Sequence, residues 1–180
     1  MTDYVLETDR LRLRRPQESD VSAIYQQVND YDIARSTLNI PYPYVPADAT
    51  AFLQHVHKVW TEKSRYPFAI TLKEVMNLWV LLGWEYNIVI IGGEAGYWIG
   101  KSYWGCGYMT EALKRIIQFG FEELELNRIQ ASHFTDNPAS GRVMEKAGMR
   151  YEGILRQYVR KWDAYKDLRY MAILRDEYGG

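Results

Sequence analysis

Cysteine is nearly missing from the 180 residues: Cys106 stands alone, so no internal disulfide can staple the chain, and a reducing compartment suits it. Net charge is equally scarce. Lys and Arg total 22 against 23 Asp and Glu, so no global field gathers phosphate backbones or anionic lipid, which argues against nucleic acid and membrane surfaces as partners. Long apolar runs are absent too, the longest, 78–84, falling far short of the roughly 20 residues a membrane helix needs. The first ten residues hold no apolar stretch of the signal type, and a cytoplasmic protein is expected. The three histidines, His55, His57 and His133, lack metal-ligand spacing with other donors, and no metal is expected. No internal repeat, linker or low-complexity tract interrupts the chain.

What is present is apolar mass. Residues of that kind make up 47% of the chain, with 15 Tyr and 6 Trp, enough to offset the entropy of ordering one domain spanning 1–180. Leu11 and Leu13 alternate with Arg10, Arg12 and Arg14, the period of a half-buried strand. Those arginines can grip phosphate or simply face water; the solvated face is the expectation. Ser19 and Asp20 can cap a helix carrying Val21, Ile24, Tyr25 and Val28 that ends near Asn29. Three prolines and two tyrosines in 40–46 make a loop that either walls a substrate cleft or closes over its own core. Phe52, Val56, Val59 and Trp60 mark a second helix, and strand-like stretches at 67–72, 78–86 and 94–99 suggest a meander.

Gly105-Cys106-Gly107 then opens the clearest helix, with Met109, Ala112, Leu113, Ile116, Ile117, Phe121 and Leu124 at helical spacing. A strand is expected at 128–134. Asn137-Pro138 follows as N-cap and first helical residue, Val143, Met144 and Ala147 supply that helix's buried stripe, and Gly148 ends it. Two closing strands fall within 149–159 and 168–174.

A strand, a glycine turn and a helix in that order present unpaired N–H groups and a helix dipole to an anion, and glycines at 105 and 107 let phosphate oxygens reach the main chain. Two other phosphate motifs fail. Gly100-Lys101-Ser102 lacks the earlier glycine of a P-loop, where Ala95 stands, and Gly105-Cys106-Gly107-Tyr108-Met109-Thr110 puts Thr110 where a dinucleotide fingerprint needs its third glycine.

The stretch from Glu94 through Tyr97-Trp98-Ile99-Gly100-Lys101-Ser102-Tyr103-Trp104-Gly105-Cys106-Gly107-Tyr108-Met109-Thr110 to Ala112 resembles the acetyl-CoA signature of the GNAT superfamily. It is similar to the branch holding the ribosomal-protein N-terminal acetyltransferases of RimJ/RimL type. Asn137-Pro138-Ala139-Ser140-Gly141-Arg142 to Met149 resembles that branch's downstream helix, and the opening 6–14 and the ending 153–174 extend the likeness across nearly the whole chain. The resemblance implies an α/β fold with a mixed, mostly antiparallel sheet splayed at two central parallel strands and flanked by helices. It implies acetyl-CoA as co-substrate and a primary amine as acceptor, a protein N-terminus first and a small amine second. It further implies that Tyr97, Trp98 and Ile99 pair with the pantetheine arm and that Trp104, Gly105, Cys106, Gly107, Tyr108, Met109 and Thr110 cradle the pyrophosphate. Ser102 replaces the Arg or Gln usual before the turn, which removes one side-chain contact.

Direct transfer needs a deprotonated amine, a polarised thioester carbonyl and a proton for the departing thiolate. Ser140 is the candidate acid, with Asn137 positioning the cofactor; the competing reading of Ser140 is a first-turn serine satisfying its own helix. Glu94 is the candidate base, or a structural acid, and Tyr158 an alternative acid or shuttle. A backbone N–H near Trp98 or Ile99 can polarise the carbonyl.

One segment breaks the pattern. Between 75 and 93, Val75, Met76, Trp79, Val80, Leu81, Leu82 and Trp84 precede Ile88-Val89-Ile90-Ile91 with few charges, where a half-exposed hairpin should alternate. An apolar face covered by a second copy is the expectation, giving a homo-oligomer, and a self-assembling scaffold, natural or engineered, is the rival to an enzyme. Replacing Val89 and Ile91 by Asp is expected to split such an assembly in light scattering while coenzyme affinity persists; a wild-type monomer at micromolar concentration removes the scaffold reading.

Overall fold

The computed structural model describes residues 4–73, 78–87 and 92–179, with backbone alone for 78–87 and Gly92. Alternation at the N-terminus does produce strands: β1 (Leu6–Glu7) pairs antiparallel with β2 (Leu11–Arg14), which turns Leu11 and Leu13 fully inward. Arg10 and Arg12 are exposed, as expected of all three arginines. Arg14 instead donates two hydrogen bonds, of 2.7 and 2.8 Å, to the buried carboxylate of Asp20, which also accepts from the Gln17 N–H. That use removes Asp20 from capping α1 (Val21–Val28), which carries no side-chain cap.

A six-residue helix that periodicity is too short to reveal follows at α2 (Tyr31–Ser36), capped where Asp30 accepts from the Asp32 N–H at 2.7 Å. After the proline-rich loop, α3 (Pro46–Thr61) starts with proline at its first position, and Asp48 accepts from the Val45 N–H. Tyr44 of that loop is buried among Ile24, Val28 and Leu53, as the reading of a loop closing over its own core expects, while Tyr42 is exposed.

The expected meander is present as β3 (Phe68–Leu72), β4 (Leu78–Asn87) and β5 (Gly92–Ile99), antiparallel neighbours throughout. After α4 (Tyr108–Glu122), β6 (Arg128–Phe134) pairs parallel with β5. Then come α5 (Pro138–Lys146), β7 (Arg150–Lys161) and β8 (Ala164–Leu174), the last two longer than their alternation suggests. Among the described residues eight strands form one sheet in the order β1-β2-β3-β4-β5-β6-β8-β7, mixed because there β5 and β6 alone run parallel.

The join of β5 to β6 covers only Gly93, Glu94 and Ala95 against Ile129, Gln130 and Ala131. Beyond it the strands part. Gly96 to Ile99 remain paired only to β4, and Ser132 to Phe134 only to β8. The expected splay therefore lies at the C-terminal ends of the two parallel strands.

Helices cover both faces. Ala95, Ile129, Ala131 and Met171 pack with Met109, Leu113, Ile116 and Met144 of α4 and α5, whereas Trp98 packs with Ile24, Val28 and Leu53 under α1 and α3. Because side chains alternate along β5, Glu94 and Trp98 share the second face, and Ala95, Tyr97 and Ile99 the first.

Phe119 is fully buried although it lies off the expected stripe of α4. It meets Tyr4, Tyr66 and Phe68 edge-on at centroid separations of 4.8–6.0 Å. Trp60 joins the same cluster and donates its indole N–H to the Pro67 carbonyl at 2.8 Å. The apolar segment 75–93 is described only in part: residues 74–77 and 88–91 and the side chains of 78–87 lie outside the described residues, and with them the faces on which the assembly expectation rests. Phe119→Ala is expected to cost about 4 kcal/mol in urea unfolding, by lost burial plus the cavity it leaves.

Candidate functional site

The glycine turn after β5 is shaped by two left-handed residues, Gly105 at φ 78° and Gly107 at φ 79°, a conformation costly for any residue with a Cβ. A methyl group added at Gly105 would meet no atom within 4 Å, so the space above the turn is open. Gly107 is the N-cap of α4, and the first helical bond runs from the Glu111 N–H to its carbonyl at 3.1 Å. The N–H groups of Tyr108, Met109 and Thr110 precede that ladder and point out of the helix start. Such an array, at the positive end of a 15-residue helix, can hold an anion.

The turn is braced from below by Arg10, in a role its sequence context did not reveal. Its guanidinium donates to the Cys106 carbonyl at 3.2 Å and to Glu111 at 2.7 Å, and lies 4.5 Å from the centre of the Tyr108 ring. Glu111 also accepts from the Thr8 hydroxyl and the Arg10 N–H. Burial works to raise the Glu111 carboxyl, but the bonds from Thr8 and Arg10 outweigh it and hold the group below its ordinary value. Above the turn, Trp104 is exposed and donates its indole N–H to the Ile99 carbonyl at 2.8 Å, and Cys106 is exposed.

Ser140 lies across the split from β5. Its hydroxyl is 2.9 Å from that of Tyr97, which also donates to the Ser140 carbonyl at 3.0 Å. The competing expectation, a serine spent on its own helix, does not describe this bond: Asn137 does that work, accepting from the Ser140 N–H at 3.3 Å. Gly141 lets α5 sit this close, since a Cβ there would come within 2.7 Å of His133 Nε2 on β6. Burial pushes the Tyr97 hydroxyl far up, only partly offset by its bond to Ser140, so it stays protonated and able to donate.

Glu94 is on the opposite face from that pair. It shares its face of the sheet with Tyr170, which is paired with Ser132 in the β6–β8 ladder and which sequence reasoning passed over, while Tyr158 is exposed on β7. Burial raises the Tyr170 hydroxyl, the charges of Glu94 and Tyr158 raise it further, and a bond with Ser132 works against them. A bulge places Tyr158: between the pairs Leu155↔Leu168 and Val159↔Lys166, β7 has three residues against one, with Gln157 left-handed at φ 49° and bonded to Asp167. The sequence signal for Tyr170 was its alternation within 168–174, which marks a face of the sheet but not what stands opposite. Among the described residues no three His, Cys, Asp or Glu gather to hold a metal, and no helix is long and apolar enough to cross a membrane.

A split parallel join, an amide-lined turn and hydroxyls across the gap define a fold built to seat a long phosphorylated ligand. Residues 10–150 match the Acetyltransferase (GNAT) domain model. The chain is 31% identical over 156 residues to the N-acetyltransferase YoaA of Bacillus subtilis (strain 168), covering 86% of this chain and 88% of that protein. It is 25% identical over 177 residues to the ribosomal-protein-serine acetyltransferase of Escherichia coli (strain K12), covering 98% and 99%, and 23% identical over 169 residues to the spermidine N(1)-acetyltransferase of Vibrio cholerae, covering 94% and 95%. RimL, the ribosomal L7/L12 alpha-N-protein acetyltransferase, solved in complex with coenzyme A, superposes with a TM-score of 0.88 over 97% of this chain and 99% of that one, at 20% identity. The chain belongs to the GNAT acetyltransferase family, and its co-substrate is acetyl-CoA.

Glu111→Gln is expected to lower stability by about 1 kcal/mol at neutral pH, a modest figure because Arg10 is half exposed. A carboxyl whose folded value is depressed stabilises above its unfolded value and loses that contribution as pH falls through the folded one. Denaturation curves of the two proteins should therefore differ at pH 7 and converge as pH drops below 4.5, the group's ordinary value.

Proposed function

We propose that the chain transfers the acetyl group of acetyl-CoA directly to a primary amine, a protein N-terminal α-amino group in first place. The observation that carries this is the Tyr97–Ser140 hydroxyl pair, 2.9 Å apart, lying across the gap where β5 and β6 cease to pair and beside the amide-lined turn. Acetyl-CoA supplies the acetyl group as an activated thioester.

The amides from Gly105 to Thr110 hold the diphosphate, with Arg10 and Glu111 fixing the turn beneath them. Main-chain groups of the stretch from Tyr97 to Ile99 that no longer face β6 give the pantetheine amides partners, apart from the Ile99 carbonyl already taken by Trp104, and Asn137 fixes the start of α5 alongside. A strand N–H at Trp98 or Ile99 polarises the carbonyl. The amine nitrogen attacks from the Glu94 face, a C–N bond forms and the C–S bond breaks. Ser140, held in place by its bond with Tyr97, gives its hydroxyl proton to the departing sulfur and regains one from solvent, while Glu94 receives the amine's proton on the face of the sheet it shares with Tyr170, with Tyr158 as the alternative shuttle.

An α-amino group, with a pKa near 8, is already partly neutral at physiological pH, whereas an alkyl amine near 10 needs a stronger base than a single carboxylate. That difference favours the N-terminal acceptor over a polyamine, the substrate named for the Vibrio cholerae relative. Copies joined through 75–93 would be compatible with this chemistry, and a reducing cytoplasm suits the lone Cys106.

Thiol release from acetyl-CoA with N-terminal peptides, spermidine and other free amines tests the reading. Peptides are expected to outrun polyamines in kcat/KM, and Ser140→Ala to lower kcat roughly a hundredfold with coenzyme A affinity intact. No release with any amine would overturn the activity, and an unchanged kcat would overturn the role of Ser140.

A further inference from the structure

The β7–β8 hairpin extends beyond the last β6–β8 pair, Phe134↔Leu168, so its tip stands at the end of the sheet where β5 and β6 diverge. The segment after β5, with Lys101, stands on the other lip of the same opening. Residues 30–42 touch both lips. On one side Lys101 pairs with Asp32 and, at 3.8 Å, with Asp30. On the other, Tyr31 stacks on Trp162 at 5.5 Å and 19°, and Tyr42 meets Tyr31 edge-on at 5.5 Å.

The tie at the hairpin end is a lysine out of water. Lys161 is 5% exposed, and its Nζ donates to two backbone carbonyls of the bridge, Leu38 at 3.1 Å and Ile40 at 2.7 Å, with the Trp162 ring 5.0 Å away. Burying an ammonium against neutral carbonyls costs free energy that a buried leucine would not. In return it satisfies two carbonyls two residues apart and fixes the course of 38–40 at the opening, which an apolar side chain cannot do.

Resting on the transferase reading above, we infer that Lys161 is a positioning residue for the acceptor: by holding Leu38 and Ile40 it sets the bridge over the mouth of the split and so decides which amines enter. Lys161 touches neither the coenzyme turn nor the hydroxyl pair, so its effect falls on acceptor binding. The stacked Tyr31 and Trp162 support the same bridge end and act in the same direction.

The test is steady-state kinetics of wild type, Lys161→Met, Lys161→Arg and Trp162→Ala, with an N-terminal peptide and spermidine as acceptors and acetyl-CoA varied separately. Lys161→Met is expected to raise the acceptor KM roughly tenfold with kcat nearly unchanged, because loss of a distant tie misplaces the substrate wall without touching the reacting groups. The KM for acetyl-CoA should stay at its wild-type value, Lys161→Arg should recover most of the loss through its retained donors, and Trp162→Ala should give a smaller rise. An unchanged acceptor KM in Lys161→Met overturns the inference. So does a parallel rise in the KM for acetyl-CoA, which marks general damage, or an Arg variant no better than Met. A wild-type enzyme silent toward every amine removes the transferase reading itself, and the inference with it.

Discussion

A backbone ladder that stops after three residue pairs leaves the inner edges of two strands with hydrogen-bonding groups to satisfy, and the candidate site is arranged around that shortfall. From Gly96 to Ile99 on one side and Ser132 to Phe134 on the other, each strand keeps its outer neighbour and gives up its inner one. Unpaired main-chain groups in a sheet are costly unless something else meets them. A ligand carrying amides of its own is the natural complement, and the two helices that follow the diverging strands, α4 and α5, bring the amide turn and Ser140 to the rim of the gap.

The split also separates two chemistries by face. Side-chain alternation sends Tyr97 toward α5, where it meets Ser140, and Glu94 to the other side, the face that carries Tyr170. The acid and base proposed for the transfer thus flank the same opening from opposite faces. Their surroundings differ as well. Tyr97 is held protonated mainly by burial, whereas Tyr170 also feels nearby negative charge.

Parts remote in sequence stiffen this arrangement. Arg10 and Thr8, near the start of the chain, hold Glu111 and the Cys106 carbonyl, so the turn's shape does not depend on its glycines alone. The absence of side chains matters at two further points. Gln27 of α1 comes to within 2.1 Å of where a Cβ of Gly100 would stand, and His133 occupies the equivalent space at Gly141. Both close approaches bring a helix onto a strand end beside the gap.

Local chemistry determined a great deal. The period of two at Leu11 and Leu13, the helical stripe from Met109 to Phe121, the Asn137-Pro138 cap and the glycines at 105, 107 and 148 are each decided within a few residues, and all appear where the sequence places them. Those same local signals marked the glycine turn as the candidate anion site, whereas Ser140 was singled out by the likeness of 137–149 to the family's downstream helix. Tertiary structure decided what no spacing can encode. The Asp20 carboxylate bonds Arg14 instead of capping the helix it precedes, Arg10 becomes a brace because Glu111 arrives across a hundred residues, and Tyr170 shares a face with Glu94 because strand order sets β8 beside β6. Phe119 is buried off the stripe because a helix packed on several sides hides more than one face. The sequence by itself settles backbone preferences and periodicities, which act over a few residues; partnership between charges and hydroxyls depends on distances that only the folded chain sets.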